Sequence, residues 1–339
     1  MDRRTRDAVF QLTVSIVGAG FASGREIMRF FSRYSVFSWI GIGLAVITIG
    51  AFALTLLRKA KEADVTSLSQ FCRIFLGKAG VVGSIAFAAL MGATGGSMLA
   101  ASGEIGALAL PVHGAYWIVL LVSLAAGLFC SRRNLTSLAW AGKMLVPALL
   151  LIFGLCLLLP EKTAASTQVM MPGWVKILEV ALGGISYGAL NVTLAAGVLC
   201  EVGRNMADKK AVRTAIFLGL CLLALLSLAN IALMRQPQLL DAALPMVMLL
   251  NNYGKIGYWL AIIGLYLAVF STLLAMARGF LNMFTCYIPN WKAFAATGVV
   301  FLLFAVIGFT RLVGIVYPAL GFLCLLLLLW TLTGKKAAD

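Results

Sequence analysis

The chain has 339 residues, of which 62% are hydrophobic and 12% are charged, and its mean hydropathy is +1.01. Soluble domains are about 45–50% apolar and about 25% charged, so this chain has too few polar residues to cover a water-facing surface. The composition excludes a soluble enzyme, a disordered protein and a collagen-like fibre. It indicates an all-α integral membrane protein.

The net charge of +15 does not indicate a nucleic-acid partner. The 27 basic residues lie mostly in clusters between apolar runs, as loops on the cytoplasmic side of a membrane protein do. Nucleic-acid-binding proteins instead carry Lys and Arg along one face or helix. We therefore expect the partners to be the lipid bilayer and a small-molecule substrate.

Cofactor and metal patterns are absent from the sequence. The seven cysteines are scattered singly, and His113 is the only histidine, so these residue types predict no metal site. The segment Gly18–Gly24 has the spacing G-x-G-x-x-x-G and lies in an apolar run, which does not fit a dinucleotide-binding turn. No phosphate-binding loop follows later in the chain. We expect no cofactor.

Ten apolar runs are long enough to cross a bilayer, since a transmembrane helix needs about 20 apolar residues. They lie at 8–32, 36–57, 80–110, 114–131, 135–159, 175–201, 212–234, 255–287, 292–310 and 312–333. The segment 236–252 between the seventh and eighth runs predicts a hairpin or a short helix outside the membrane.

The ten spans divide into two sets of five, one in residues 1–159 and the other in residues 160–339. Five crossings bring the chain to the opposite side, so the second set enters the membrane in reverse and the two sets form inverted repeats. Most basic residues lie on the side of the chain termini, which predicts that both termini are cytoplasmic. The expected location is the cell membrane.

Two glycine-rich segments occupy matching places in the two halves, Gly18–Gly24 in the first span and Gly183–Gly188 in the sixth. Each glycine in a helix costs about 1 kcal/mol relative to alanine, so we expect the first and sixth helices to be discontinuous there. Backbone groups freed inside a bilayer need partners, and paired interruptions of this kind mark a transporter's midplane binding site. The alternative is close helix packing through small residues.

The segment from Gly18 to Ile27, GAGFASGREI, resembles the YkvI-type bacterial membrane proteins. These are assigned as amino-acid permeases of the amino acid–polyamine–organocation superfamily, which has the LeuT-type fold of five plus five helices. The segment Ser186–Asn191 is similar to the aromatic-Gly-x-x-Asn pattern of the superfamily. The spacing from there to Glu201 is longer than usual, and no role is transferred to that residue.

The two interrupted segments provide the candidate substrate-binding residues. These are Gly18, Ala19, Gly20, Phe21, Ser23, Gly24, Ser186, Tyr187, Gly188 and Asn191. We expect a substrate carboxylate to meet backbone N–H groups of the first segment. No acid for a substrate ammonium is evident, so the amine would rely on carbonyls, Ser186 or Tyr187. The alternative role of Tyr187 is core packing.

A hydroxyl pair in the eighth span, Ser271 and Thr272, is the candidate site for a coupling ion. In sodium-coupled members of the superfamily such a pair, with the carbonyl three residues earlier, here that of Ala268, and carbonyls of the first span, holds Na+. The alternative is that both hydroxyls bind carbonyls of their own helix.

Two charged residues are candidates for proton coupling. Lys143 lies in a segment that resembles one in proton-coupled or sodium-independent members, where a lysine amine takes the place of sodium; otherwise its side chain extends to the membrane surface. Glu104 either carries a proton or pairs with Lys143, or it lies near the outer end of the third span. The coupling ion is thus Na+ or H+.

Arg25 and Glu26 follow directly on the first glycine-rich segment. They either gate an outer vestibule or pair with each other at the surface, and the surface role is favoured slightly.

The sequence predicts a secondary transporter of a small solute, an amino acid or related zwitterion, that works by alternating access. The alternative is a sensor or receptor that has the same fold and binds a solute without moving it. A membrane enzyme is not expected, because a single histidine and scattered acids form no catalytic cluster.

Overall fold

A computed structural model describes residues 3–65, 71, 74–75, 80–131, 147, 150–158, 173–284 and 289–333. The regular structure in these ranges is helical, without a strand. The helices are α1 (Arg3–Ala22), α2 (Arg25–Phe30), α3 (Ser38–Ala63), α4 (Gly80–Ala109), α5 (Ala115–Ser131), α6 (Gly173–Arg204), α7 (Asp208–Met234), α8 (Pro245–Leu250), α9 (Gly254–Phe284), α10 (Asn290–Ile307) and α11 (Tyr317–Thr333).

Seven helical stretches in the described ranges are long and apolar enough to cross a membrane, and α5 is a shorter apolar helix. The first predicted span is divided between α1 and α2, and most of the fifth, at 135–159, lies outside the described residues. The prediction of an all-α, multi-pass membrane protein is confirmed.

The first span is discontinuous, as predicted. Gly18 has φ 47° and ψ −178° inside α1, and Gly24 has φ 79° where α2 begins. Both conformations have positive φ, which glycine adopts without the steric cost that a Cβ brings. The interruption therefore follows from the local sequence.

The sixth span is not discontinuous, and the predicted break at Gly183–Gly188 is wrong. α6 is one helix from Gly173 to Arg204, and its glycines pack against α3. A Cβ on Gly184 would lie 2.3 Å from the carbonyl oxygen of Gly41, and one on Gly188 would lie 2.8 Å from that of Ala45. The glycines allow two backbones to approach each other, so small-residue packing, the alternative, is correct.

A short helix follows α7, which is one of the two alternatives that the sequence allowed for the segment 236–252. Pro245 opens α8, where its missing N–H costs nothing, and the backbone N–H of Met246 donates to the carbonyl oxygen of Ser23 at 3.0 Å. This segment is thus attached directly to the interruption of the first span.

The packing role of α6 can be tested with Gly184→Ala. The new methyl group meets the Gly41 carbonyl, and we expect overpacking to lower the free energy of unfolding by about 1–3 kcal/mol. The control is Gly197→Ala in the same helix, where a Cβ meets nothing within 4 Å; it should be neutral or stabilise by up to about 1 kcal/mol. Unfolding of the detergent-solubilised protein measures both, and equal stabilities would contradict this packing.

Candidate functional site

The interruption of the first span is buried and is held by its own hydrogen bonds. The Ser23 hydroxyl donates to the carbonyl oxygen of Gly20 at 2.7 Å and accepts from the backbone N–H of Arg25 at 3.2 Å. The backbone N–H groups of Ser23 and Gly24 donate to the carbonyls of Ala19 and Phe21, each at 2.9 Å. Side chain and backbone together stabilise a turn in the middle of the bundle.

Arg25 closes the segment 236–252 over this turn. Its guanidinium Nη1 donates to the carbonyl oxygens of Leu240 at 2.6 Å and Ala242 at 3.0 Å, and the residue is only 8% exposed. Arg29, one turn later, donates from Nε to the carbonyl of Gly314 at 3.0 Å. The favoured surface role of Arg25 is therefore wrong, because the residue is buried and its guanidinium Nη1 binds loop carbonyls within the fold.

The closing contact predicts the effect of Arg25→Met. Each hydrogen bond from a charged group contributes about 1.5–3 kcal/mol, so the loss should raise amide exchange in residues 240–246 by about tenfold or more. Hydrogen–deuterium exchange with mass spectrometry measures this. Arg311→Met is the control, since Arg311 is exposed and its loss should leave residues 240–246 protected as in the wild type. Unchanged exchange in Arg25→Met would refute the closing role.

Glu26 turns the opposite way, into the bundle. The residue is 6% exposed, and its carboxyl group lies so close to the Cα of Gly20 that a Cβ there would be 1.7 Å from Oε1. The expected surface pair with Arg25 does not form. The sequence pattern indicated no acid for the site; the only signal was that Glu26 follows the interruption by two residues.

Two buried phenol groups interact electrostatically with this carboxyl group. The phenols of Tyr187 in α6 and Tyr317 in α11 lie close enough to interact electrostatically with Glu26. The Tyr317 hydroxyl is near those of Ser97 and Thr94 in α4, although within the described ranges none of these three hydroxyl oxygens completes a hydrogen bond of acceptable geometry. Four helical segments thus contribute polar groups to one buried cluster.

Tyr187 also packs firmly. Its ring lies 5.2 Å from the ring of Phe30 and 5.1 Å from that of Phe31, and it is 2% exposed. Of the two roles that the sequence allowed, packing is observed, and the phenol is near the interruption as well.

The other predicted substrate residues fall into two groups. Phe21 packs edge-on against Phe153 at 5.6 Å, beside the turn. On α6, the Ser186 hydroxyl donates to the carbonyl of Pro318 at 3.0 Å, and Asn191 Nδ2 donates to the carbonyl of Tyr187 at 2.9 Å. These two polar side chains already have partners within the protein, whereas the Tyr187 phenol interacts electrostatically with Glu26.

The hydroxyl pair of α9 lies beside the first interruption. A Cβ on Gly18 would be 4.0 Å from Thr272 Oγ1. The hydroxyls of Ser271 and Thr272 donate to the carbonyl of Ala268 at 2.9 and 3.0 Å, which is the intrahelical bonding that the sequence allowed as the alternative. The two spans that the sodium-site resemblance requires are therefore adjacent.

Of the two residues predicted for proton coupling, the structure describes Glu104, which lies away from this cluster. Glu104 is half-buried, near the Tyr116 phenol of α5. It is seven residues beyond Ser97, about 10 Å along α4, and so near the end of that helix. Lys143 lies outside the described residues.

An apolar groove of about 340 Å³ lies between α3 and α7. Its lining, which includes Val46, Leu54 and Ile216, consists of apolar side chains and glycine. Such a lining suits lipid hydrocarbon and offers no hydrogen bond to a polar solute, so this groove is distinct from the polar cluster around Glu26 and is not a candidate solute site.

The chain is similar to the uncharacterized membrane protein YkvI of Bacillus subtilis (strain 168). The two are 24% identical over 323 residues, which cover 92% of this chain and 90% of the relative. No protein-family model matches the chain. The resemblance to the YkvI-type proteins that the sequence indicated is confirmed.

Solved transporter structures share the fold. Mhp1, a nucleobase-cation-symport-1 family transporter closed around bromovinylhydantoin, aligns with a TM-score of 0.58 and 15% identity over 96% of this chain and 74% of its own. The inward-facing form of Mhp1 aligns with a TM-score of 0.59 and 14% identity, over 98% of this chain and 76% of its own. A manganese transporter of Eremococcus coleocola aligns with a TM-score of 0.56 and 14% identity, over 96% of this chain and 78% of its own.

These similarities, with the broken first span, define the class of the protein: it has the LeuT-type transporter fold. The prediction of that fold is confirmed. Mhp1 and the manganese transporter, which share this fold, are transporters. The similar curated protein, YkvI, is itself uncharacterized, so the function has to be argued from the site.

Proposed function

We propose that the protein is a secondary transporter of a small solute, an amino acid or a related zwitterion, and that it works by alternating access. It lies in the cell membrane with both termini in the cytoplasm, as the basic residues favour. Transport is coupled to Na+ or H+. The paired five-helix repeats, 1–159 and 160–339, provide the two parts that move relative to each other.

The observation that carries this proposal is the interruption at Gly18–Gly24 in a helix that crosses the core of a LeuT-type fold. An interrupted helix leaves N–H and C=O groups without intrahelical partners, and such groups are tolerated in a membrane protein where they are buried in protein or line a cavity. A substrate with a carboxylate and an amine can pair with both kinds of group.

The closing contacts favour gating over a fixed structural role. Ser23, in the interruption, binds Met246 through its carbonyl, and Arg25, just beyond it, binds carbonyls of residues 240 and 242. Release of these few hydrogen bonds would open the path from the predicted external side without unfolding α1 or α2. The site would then be reached from one side at a time.

Because α6 is continuous, the substrate's backbone contacts come from the first span. We expect the carboxylate to bind N–H groups near Gly18–Gly24, with Tyr187 covering the substrate from α6. Ser186 and Asn191 contribute less, since both already bind carbonyls within the protein.

Uptake of labelled amino acids into proteoliposomes tests this function. The wild-type protein should accumulate at least one of the common amino acids, whereas Gly18→Ala should lower uptake by about tenfold, because a Cβ at this positive φ costs about 1–3 kcal/mol. Gly264→Ala, where a Cβ meets nothing within 4 Å, should retain uptake within about twofold. Stabilisation of the protein by an amino acid without accumulation would identify a receptor instead.

Thr272→Val tests the hydroxyl pair as a sodium site. The substitution keeps the shape of the side chain and removes its oxygen, so sodium-driven uptake should fall by about tenfold, the loss of one cation ligand. Thr297→Val is the matched control: Thr297 also donates to the carbonyl four residues earlier, at 2.7 Å, on α10, and its replacement should preserve the sodium response. Equal wild-type uptake with and without sodium would refute a sodium-coupling role for Ser271 and Thr272.

A further inference from the structure

Glu26 carries a carboxyl group into the core of the bundle, and in the part of the chain that the structure describes no cation forms an ion pair with it. Among the described residues, ion pairs join Lys61 to Asp208 at 3.1 Å and Arg204 to Asp64 at 2.5 Å, and neither includes Glu26. An ionised carboxylate without a partner is expensive to bury, and such groups take up a proton instead. The closed arrangement therefore favours the neutral acid.

Among the described residues, the titratable groups that interact electrostatically with Glu26 are uncharged at neutral pH. They are the phenols of Tyr187 and Tyr317, and the hydroxyls of Thr94 and Ser97 lie behind Tyr317. On its own segment, the guanidinium groups of Arg25 and Arg29 bind carbonyls at 240, 242 and 314. The charged residues of α7 all lie in its first two turns, far along the helix from Met234; they are Asp208, Lys209, Lys210 and Arg213.

The carboxyl group has no space for a bound metal ion on the side of the interruption. Its Oε1 lies against the bare Cα of Gly20, so the contact is van der Waals packing between the acid and the backbone of the turn. A proton adds almost no volume, whereas Na+ or an ammonium group between Glu26 and Gly20 would push the two halves of the first span apart.

We propose that Glu26 is a proton-binding site, and that protonation of its carboxyl group permits the interruption of the first span to close around the substrate. This inference rests on the proposed transport function and is independent of the sodium site at Thr272. When the cluster opens to water, Glu26–COOH transfers its proton to a water molecule and the carboxylate becomes hydrated. Closure around the substrate takes a proton from water on one side, and opening on the other side releases it. The empty carrier returns with the ionised carboxylate accepting hydrogen bonds from the buried hydroxyl groups, so one proton crosses with each cycle.

The unpartnered hydroxyls fit this role. After the proton leaves, the Tyr317 hydroxyl and those of Ser97 and Thr94 behind it can donate along a chain that ends on the carboxylate. In the closed form they are buried and donate to nothing within the described residues. The cluster can therefore accommodate both protonation states at different stages of the cycle.

Glu26→Gln is the decisive variant, because glutamine has the shape of the neutral acid and cannot release a proton. In proteoliposomes with an alkaline interior, Glu26→Gln should accumulate the amino acid that the wild type takes up about tenfold less or lower still. A coupling free energy of ordinary size corresponds to a change of this order. Exchange of the same amino acid across the membrane should persist within about threefold, since a permanently neutral carrier can still close on either side. Glu26→Asp should restore part of the accumulation.

Glu201→Gln is the matched control, because Glu201 is an exposed acid at the far end of α6, and it should behave as the wild type does. Full pH-driven accumulation by Glu26→Gln would overturn the proposal. So would a folded Glu26→Gln protein that has lost exchange as well, since the carboxyl group would then serve substrate binding itself.

Two measurements without transport separate this inference from the proposed function. The infrared difference spectrum of the wild type minus Glu26→Gln at neutral pH should contain the C=O stretching band of a protonated carboxyl group. After correction for intrinsic exchange, alkaline pH should reduce amide protection of residues 240–246 in the wild type and leave it unchanged in Glu26→Gln. Positive results with no wild-type uptake would refute transport and retain the proton site; a missing band, or equal loss of protection in both proteins, would refute the proton site.

Discussion

The structure depends on how it satisfies backbone hydrogen bonds where a helix stops inside an apolar environment. An unpaired N–H or C=O in hydrocarbon costs several kcal/mol, so an interruption survives only with replacement partners. Here Ser23 supplies a hydroxyl to the Gly20 carbonyl, and Met246 supplies an N–H to the Ser23 carbonyl. The same turn is thereby connected to the segment that covers it, so the stability of the break and the closure of the site depend on shared contacts.

Glycine has a different structural role in each of the two glycine-rich spans. In the first span glycine provides positive φ at Gly18 and Gly24, whereas in α6 it removes side chains so that the backbone of α3 can approach Gly184 and Gly188. α6 is consequently a rigid wall that presents Tyr187, and the first span supplies the adjustable backbone.

The two residues that follow the interruption, Arg25 and Glu26, have side chains that extend in different directions and make different contacts. Successive side chains on a helix diverge by about 100°, so Arg25 reaches the covering segment while Glu26 enters the core. The proton that we propose on Glu26 and the hydrogen bonds of Arg25 thus lie on different sides of the same short helix, α2. Under that proposal, α2 connects protonation of Glu26 with the contacts of Arg25 to residues 240 and 242.

The sequence by itself determined the membrane environment, the all-helical class, the positions of the spans in the described ranges and the first interruption, because hydropathy and the clustering of Gly18, Gly20 and Gly24 are local properties. Only the tertiary structure decided that α6 is continuous and that Arg25 and Glu26 are buried. Those outcomes depend on what lies opposite: the carbonyls of α3 for Gly184, those of residues 240 and 242 for Arg25, and the bare Cα of Gly20 for Glu26. A glycine pattern has the same spacing whether a helix bends or packs, and an acid beside a turn looks the same in sequence whether water or protein faces it.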